Sequence, residues 1–278
     1  MVENTFIYLV QGQRELVSTF LHLADRPQAD ALFLTYDEPL HAEGAIFFPN
    51  STWAEGRNRL LEEARQNGSY RYYIYSDDDV EFERGGWQDL EDGLLAHTPA
   101  IGVPVVPKTY DTTVPFSVQP FRLNDEQVMG LHHDVVEDNL IVPYQTRFDD
   151  VHWWASCQIQ QILIQSFYHQ DALQFNGITV RNECAGRYAN PDEGRSTYKT
   201  LLRDWLATQF VDSFRDIQLG TGKYRWRAWR RAIHHTLRTL GRPRASTHCL
   251  SPSRVMEMLT PGSALLEQYQ NRTLPVTA

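Results

Sequence analysis

Cysteine is scarce in this 278-residue chain: Cys157, Cys184 and Cys249 are odd in number and far apart. They support neither a disulfide framework nor a zinc cluster, and a reducing cytoplasm is the simplest compartment. No run approaches the roughly 18 uninterrupted apolar residues of a membrane span. The start, Met1-Val2-Glu3-Asn4-Thr5, has neither the basic nor the apolar region of a signal peptide. There is no internal repeat and no low-complexity segment. Positive charge is in deficit, with a formal net charge of −9, which argues against general nucleic-acid binding. What is abundant is core material. A hydrophobic content of 42% with 12% aromatics supports one large domain, or one domain with an appendage.

The stretch that organises the chain is Arg71-Tyr72-Tyr73-Ile74-Tyr75-Ser76-Asp77-Asp78-Asp79-Val80-Glu81-Phe82. Aromatic and β-favouring residues from Tyr72 to Tyr75 predict a buried strand, and three aspartates follow at its carboxyl end. In open α/β sheets, ligands bind in the crevice outside the strand ends. Three adjacent carboxylates repel one another and call for a compensating cation. Hard oxygen ligands select Mg²⁺ or Mn²⁺. The plainer alternative is a solvated acidic turn after an ordinary strand.

Upstream, Phe6 to Val10 reads as a strand ending at Gln11-Gly12. Glu15 to Ala24 has helical periodicity. Ala31 to Tyr36 is a second strand, ending at Asp37-Glu38-Pro39, and Ala45 to Phe48 is a third. Alternation of strands and helices predicts a mainly parallel sheet. Ser51 or Thr52 can cap the helix that follows, in which Trp53, Leu60, Leu61 and Ala64 form one apolar face. That helix carries Gly56-Arg57-Asn58 and ends at Asn67-Gly68, just before the aspartate strand.

Arg57-Asn58 on a helix, then a strand ending in Asp77-Asp78-Asp79, resembles the nucleotide-sugar-dependent glycosyltransferases of the GT-A fold. In that family a helix bearing Ala-Arg-Asn precedes a strand ending in an Asp-x-Asp metal motif. The resemblance covers roughly residues 5–190. It implies a Rossmann-type mixed sheet flanked by helices, and Mn²⁺ or Mg²⁺ as cofactor. It also implies a nucleoside diphosphate sugar as donor and a saccharide or lipid-linked hydroxyl as acceptor. On this resemblance Asp79 and Asp77 hold the metal, with Asp77 and Asp78 beside the nucleotide, and Asp37 holds the base or ribose. Arg57 adds a cation near the phosphates, where a planar fork suits phosphate oxygens; its alternative is a solvated helix arginine. In inverting members an acidic pair opens a later helix, and here Asp149-Asp150 stands at the matching place. Asp150 is favoured over Asp149 as the base that deprotonates the acceptor, with His152 in reserve. A carboxylate near Trp153 and Trp154 has its pKa raised by burial toward the range useful to a base. Either aspartate can instead serve as a helix cap.

Further along, Trp87 to Leu95 reads as a helix, Ile101 to Pro107 as extended and Val114 to Phe121 as strand. His132-His133-Asp134 reads as a surface loop rather than a metal site. Ala155 to about His169 is helical, and Gly177 to Asn182 closes the sheet. There the family often has a further metal-binding histidine, where this chain has Asn182-Glu183-Cys184. The expected organisation is a catalytic domain over 1–190, a helical appendage over 191–259 and a tail over 260–278. Within the appendage, residues 223–244 interleave Trp and Arg without an acid. They read as a segment lying on an anionic membrane, which would place the protein at the inner face; a helix packed on the domain with solvated arginines is the alternative.

Two other functions compete. Sugar-phosphate nucleotidyltransfer uses carboxylate-bound Mg²⁺ but a glycine-rich loop after the first strand, where Val10-Gln11-Gly12-Gln13-Arg14-Glu15 has one glycine. A non-catalytic carbohydrate- or membrane-binding module would keep the fold without turnover.

Overall fold

A computed structural model describes residues 4–106, 117–120, 126–139, 141–146, 149–150, 155–168 and 171–183. The expected appendage and tail, the 223–244 segment, and His152, Trp153 and Trp154 lie outside these residues.

The first half of the chain builds the parallel part of the sheet. Strand β1 (Phe6–Gly12) pairs in parallel with β2 (Ala29–Thr35) on one side and β4 (Tyr72–Asp77) on the other. Strand β3 (Ala45–Phe47) adds to the outer side of β2. The described sheet has nine strands in the order β3-β2-β1-β4-β8-β6-β9-β5, with β7 paired to β9 alone. Strand β8 (Val128–His132) runs antiparallel to β4 and to β6 (Ile101–Val105). Strand β9 (Ala172–Asn182) runs parallel to β6, then carries β5 (Val80–Arg84) antiparallel at the far edge. Strand β7 is Val118–Pro120. The expected mixed sheet flanked by helices is therefore present.

Buried on both faces, β4 needs the near-continuous aromatic run Tyr72 to Tyr75 rather than polar alternation. One face packs Ile7, Leu9, Tyr73 and Tyr75 against helix α2 (Trp53–Asn67), α4 (His133–Asp138) and α5 (Ala155–Phe167). The other packs Tyr8, Val10, Tyr72 and Ile74 with residues of helix α3 (Trp87–His97). On that face the Tyr8 hydroxyl and the Arg26 guanidinium both donate to the buried Glu91 carboxylate. This satisfies a charge that would otherwise be costly inside. Thr52, not Ser51, caps α2, in a reciprocal capping box with Glu55.

Two expectations need correction. The helix expected over Glu15 to Ala24 is four residues of α-helix, α1 (Arg14–Val17), followed by a 3-10 segment over Ser18–Asp25. Ser18 and Thr19 donate their hydroxyls to the carbonyls of Glu15 and Leu16, three residues back, which competes with regular α-helix. His132-His133-Asp134 is not a surface loop. His132 ends β8, nearly buried, and its Nδ1 accepts the Asp134 N–H at 3.2 Å, capping α4.

Candidate functional site

After β1 the chain moves outward to β2 and β3, then returns to the other side of β1 as β4. The crevice between the carboxyl ends of β1 and β4 is thus a topological switch point, where open α/β sheets bind ligands. Gly12, Asp37 and the Asp77-Asp78-Asp79 turn all stand at this edge. The Tyr36 hydroxyl senses the four aspartates together: burial, then Asp78, Asp37, Asp79 and Asp77, pushes its pKa up to about 12. Tyr36 is a site residue that sequence reasoning missed.

The three aspartates of the turn do different work. Asp77 ends β4, and its Oδ1 accepts from Arg57 Nη2 at 2.7 Å and from Trp53 Nε1 at 3.0 Å. Asp78 folds back over β1, where its Oδ2 accepts the Gln13 N–H at 2.6 Å. Gly12 makes this approach feasible, since a Cβ there would lie 1.9 Å from the Asp78 carboxyl carbon. Burial pushes Asp78 up to about 7, and the charges of Asp77 and Asp79 add to the rise. Asp79 is 3% exposed, and its carbonyl accepts the Glu183 N–H at 2.8 Å. That bond clips the end of β9 to the acidic turn. Asp37 is held from the same β1–α1 turn as Asp78: its Oδ1 accepts the Arg14 N–H at 2.8 Å.

Arg57 is neither a solvated helix residue nor open to a phosphate, because it is 1% exposed. Its guanidinium lies 4.1 Å from the Trp53 ring centroid, with Tyr75 and Tyr144 at 5.3 and 5.6 Å. It also donates to the Glu126 carbonyl and the Tyr144 hydroxyl. Burial alone would lower its pKa, but Tyr144, Asp77 and Glu126 outweigh that and raise it. A buried cation enclosed this way serves as the counter-charge that fixes Asp77. Asn58, its neighbour, reads the backbone of Tyr144 in both directions, donating to the carbonyl at 2.9 Å and accepting from the N–H at 2.6 Å. Arg57-Asn58 therefore docks Tyr144 on α2.

Asp149 stands at the amino end of α2, where the Thr52 hydroxyl donates to its Oδ2. Burial pushes Asp149 up to about 6, opposed by the Thr52 hydrogen bond and assisted by the charges of Glu55 and Asp150. Asp150 itself is exposed. Adjacent residues of one helical turn thus hold Asp149 (through Thr52) and Asp77 (through Trp53).

Among the described residues, no group of three His, Cys, Asp or Glu side chains is arranged to hold a metal ion. The oxygen donors present suit a different arrangement. Asp77 retains Oδ2, Asp79 follows two residues on, and the buried Asn182 Oδ1 has no hydrogen-bond partner among the described residues. One or two carboxylates completed by phosphate and water are the usual support for Mg²⁺. The donor set fits such an ion.

No family model matches this chain, and no curated protein matches it. Among solved structures it is similar to residues 1–349 of S. aureus TarS, at 9% identity and a TM-score of 0.47, covering 84% of this chain and 72% of that one. A second TarS structure, in complex with UDP-GlcNAc, gives 8% identity, a TM-score of 0.43 and coverage of 84% and 73%. CMP:2-keto-3-deoxy-manno-octonic acid synthetase complexed with CTP gives 9% identity and 0.39, covering 72% of this chain and 99% of that one. Identities and scores this low leave activity to be read from the site itself.

Proposed function

We propose that the chain is a glycosyltransferase, moving a sugar from a nucleoside diphosphate sugar to a hydroxyl acceptor with inversion. The observation that carries this reading is the shared first turn of α2. It holds a carboxylate of the switch-point crevice, Asp77, and a second carboxylate, Asp149, whose pKa of about 6 suits a general base. A crevice ringed by Asp37, Asp77, Asp78 and Asp79 repels a diphosphate unless a cation intervenes. Asp77 and Asp79 would hold Mg²⁺ or Mn²⁺ there, and the ion would neutralise the negative charge that develops on the departing diphosphate.

The chain's own residues do the rest. Asp37, anchored by the Arg14 N–H, receives the nucleoside. Arg57 and Trp53 fix the orientation of Asp77. Asp149 takes the proton of the acceptor hydroxyl as that oxygen bonds to the anomeric carbon and the anomeric bond to the diphosphate breaks. We assign the base to Asp149 rather than Asp150, because Asp149 has the burial and the oriented hydrogen bond. Inversion follows from a single displacement, in which the acceptor oxygen attacks the anomeric carbon opposite the departing diphosphate. The acidless 223–244 segment supports a lipid-linked acceptor reached from an anionic membrane surface.

One geometric fact disfavours nucleotidyl transfer. That chemistry cradles a triphosphate on the N–H groups of the loop after β1, whereas the Gln13 and Arg14 N–H groups are engaged by Asp78 and Asp37. Calorimetric titration of UDP and of GDP, each with Mn²⁺ and with EDTA, into wild type and Asp79→Ala tests the donor site. Metal-dependent binding of one nucleotide, lost in the variant, is expected. A folded wild type that binds neither would remove the UDP- and GDP-sugar readings.

A further inference from the structure

Glutamine is seldom buried, yet Gln11, Gln119, Gln127, Gln145, Gln160, Gln161 and Gln174 are all at most 5% exposed. Three of them make hydrogen bonds near the crevice. Gln11 donates to the Trp53 carbonyl at 3.0 Å, and the Gln127 backbone carbonyl accepts the Asp77 N–H at 2.9 Å. Gln160, with its amide oriented by its surroundings, bonds to the Glu126 carboxylate and the Tyr144 hydroxyl. Gln119 differs. It is 1% exposed, and neither its amide oxygen nor its amide nitrogen has a hydrogen-bond partner among the described residues. A buried amide left wholly unsatisfied is costly, and in native proteins such a group marks a bound partner or a function.

Its surroundings indicate what that partner is. Gln119 stands directly across the β7–β9 ladder from Gln174, also 1% exposed, whose Nε2 donates to Asn176 Oδ1 at 3.0 Å. Three amide side chains thus share one patch of β7 and β9. Gln174 is level with Val103 in the neighbouring β6, and Val103 packs in the same core as Tyr75. Since side chains alternate along a strand, the amides face the same side of the sheet as Tyr75 and, two residues on, Asp77. Three inter-strand steps separate β9 from β4, a lateral offset of roughly 14 Å. The amide patch therefore shares the sheet face of Asp77 but lies well to its side, with Gln119 one strand further out than Gln174. Strand β7 is three residues long and, among the described strands, pairs with β9 alone, so only that ladder has to yield for a ligand to reach Gln119.

An amide presents one carbonyl acceptor and two N–H donors in a fixed plane, which complements hydroxyl groups that both give and receive hydrogen bonds. It offers nothing to a phosphate or carboxylate that a charged group would not offer better. We infer that Gln119, with Gln174 and Asn176, forms a subsite for a neutral saccharide unit of the acceptor, remote from the hydroxyl that reacts. The inference rests on the glycosyltransferase reading and gives it an acceptor class: an oligosaccharide rather than a single small alcohol.

Maltotriose, cellotriose and chitotriose titrated calorimetrically into the full chain, as wild type, Gln119→Met and Gln119→Glu, test it, with the Tm of each protein recorded. At least one trisaccharide should bind the wild type. Gln119→Met should weaken that binding about tenfold or more while its Tm stays level or rises, because an apolar isostere removes the unsatisfied amide. Gln119→Glu, which keeps the length and an acceptor oxygen, should retain part of the affinity. Wild type that binds no trisaccharide, or equal binding by Gln119→Met, would overturn the subsite. So would a lower Tm in Gln119→Met, which would mark a structural amide satisfied by ordered water. Nucleotide titration of the same wild-type sample separates the two readings. Absence of nucleotide binding removes the UDP- and GDP-sugar readings on which the donor site rests, whereas nucleotide binding without a saccharide effect sinks only the subsite.

Discussion

At the scale of single residues, charge compensation decides most of the site. Arg57 faces Asp77 and the field of Glu126 from a position 1% exposed, so Arg57→Met should cost about 3 kcal/mol in urea denaturation. Arg57→Lys should recover only part of this, since an ammonium cannot span Asp77 and Tyr144 as a planar fork does. Asp149 behaves in the opposite sense. Its folded carboxyl titrates near 6 and an unfolded aspartate near 3.9, so the native state holds more protons between those values. Wild-type stability therefore falls as pH rises from about 4 to 6, and the loss persists above. Asp149→Asn should be more stable than wild type at pH 8 by on the order of 1 kcal/mol, discounted for partial exposure, and equal to it at pH 4. Activity should show the same group. The wild-type kcat/KM should rise through about pH 6, and the variant should lose that limb along with roughly 10²–10⁴ in rate. The acidic triplet and Asp37 were legible in the sequence because short motifs and strand ends are local features. Arg57's burial was not, because an arginine within a helix looks the same whether its outer neighbours are water or three aromatic rings. Tyr36 was hidden for a similar reason: three of the four carboxylates that act on it lie some forty residues away.

Secondary-structure elements followed the pattern where periodicity was strong. The aromatic run of β4 and the capped, one-faced α2 were readable, since burial on both faces and an N-terminal Thr leave clear marks. The 3-10 segment was not, because Ser18 and Thr19 act through side-chain bonds that apolar periodicity ignores. Nor was β5, which leaves the acidic turn for the far edge of the sheet and pairs with a strand about a hundred residues later. The amino end of α2 and the end of β1 approach each other closely, and Gly56 makes this feasible. A Cβ at Gly56 would lie 2.6 Å from the Gln11 amide oxygen. Gly56→Ala should therefore destabilise by about 1–3 kcal/mol through overpacking, visible as a lower denaturation midpoint with an unchanged slope. Gly12→Ala acts on the ligand site instead. Its methyl would occupy the place of the Asp78 carboxyl, and Mn²⁺-dependent nucleotide binding should weaken at least tenfold in calorimetry.

Across the whole molecule, charge is divided unevenly. Residues 223–244 hold eight Lys and Arg and no acid, which leaves the remainder of the chain at −17 against the −9 total. Segregation of this kind predicts adsorption to vesicles containing phosphatidylserine, with little adsorption to neutral vesicles and release by salt as the Debye length shrinks. Co-sedimentation at low and high ionic strength would show it, and equal binding to neutral vesicles would refute the electrostatic basis. No helix among the described residues is long and apolar enough to cross a membrane. The capping turn of α2 also has a consequence for change over time. Because Thr52 and Trp53 are successive residues gripping Asp149 and Asp77, one peptide unit serves as a caliper set between the two halves of the proposed reaction. The roots of its jaws, two adjacent Cα atoms, stay about 3.8 Å apart. Loops that choose the donor or the acceptor can drift independently around it. A substitution in the caliper itself alters both settings together, so new substrates would be acquired through those loops, with this one turn kept in gauge.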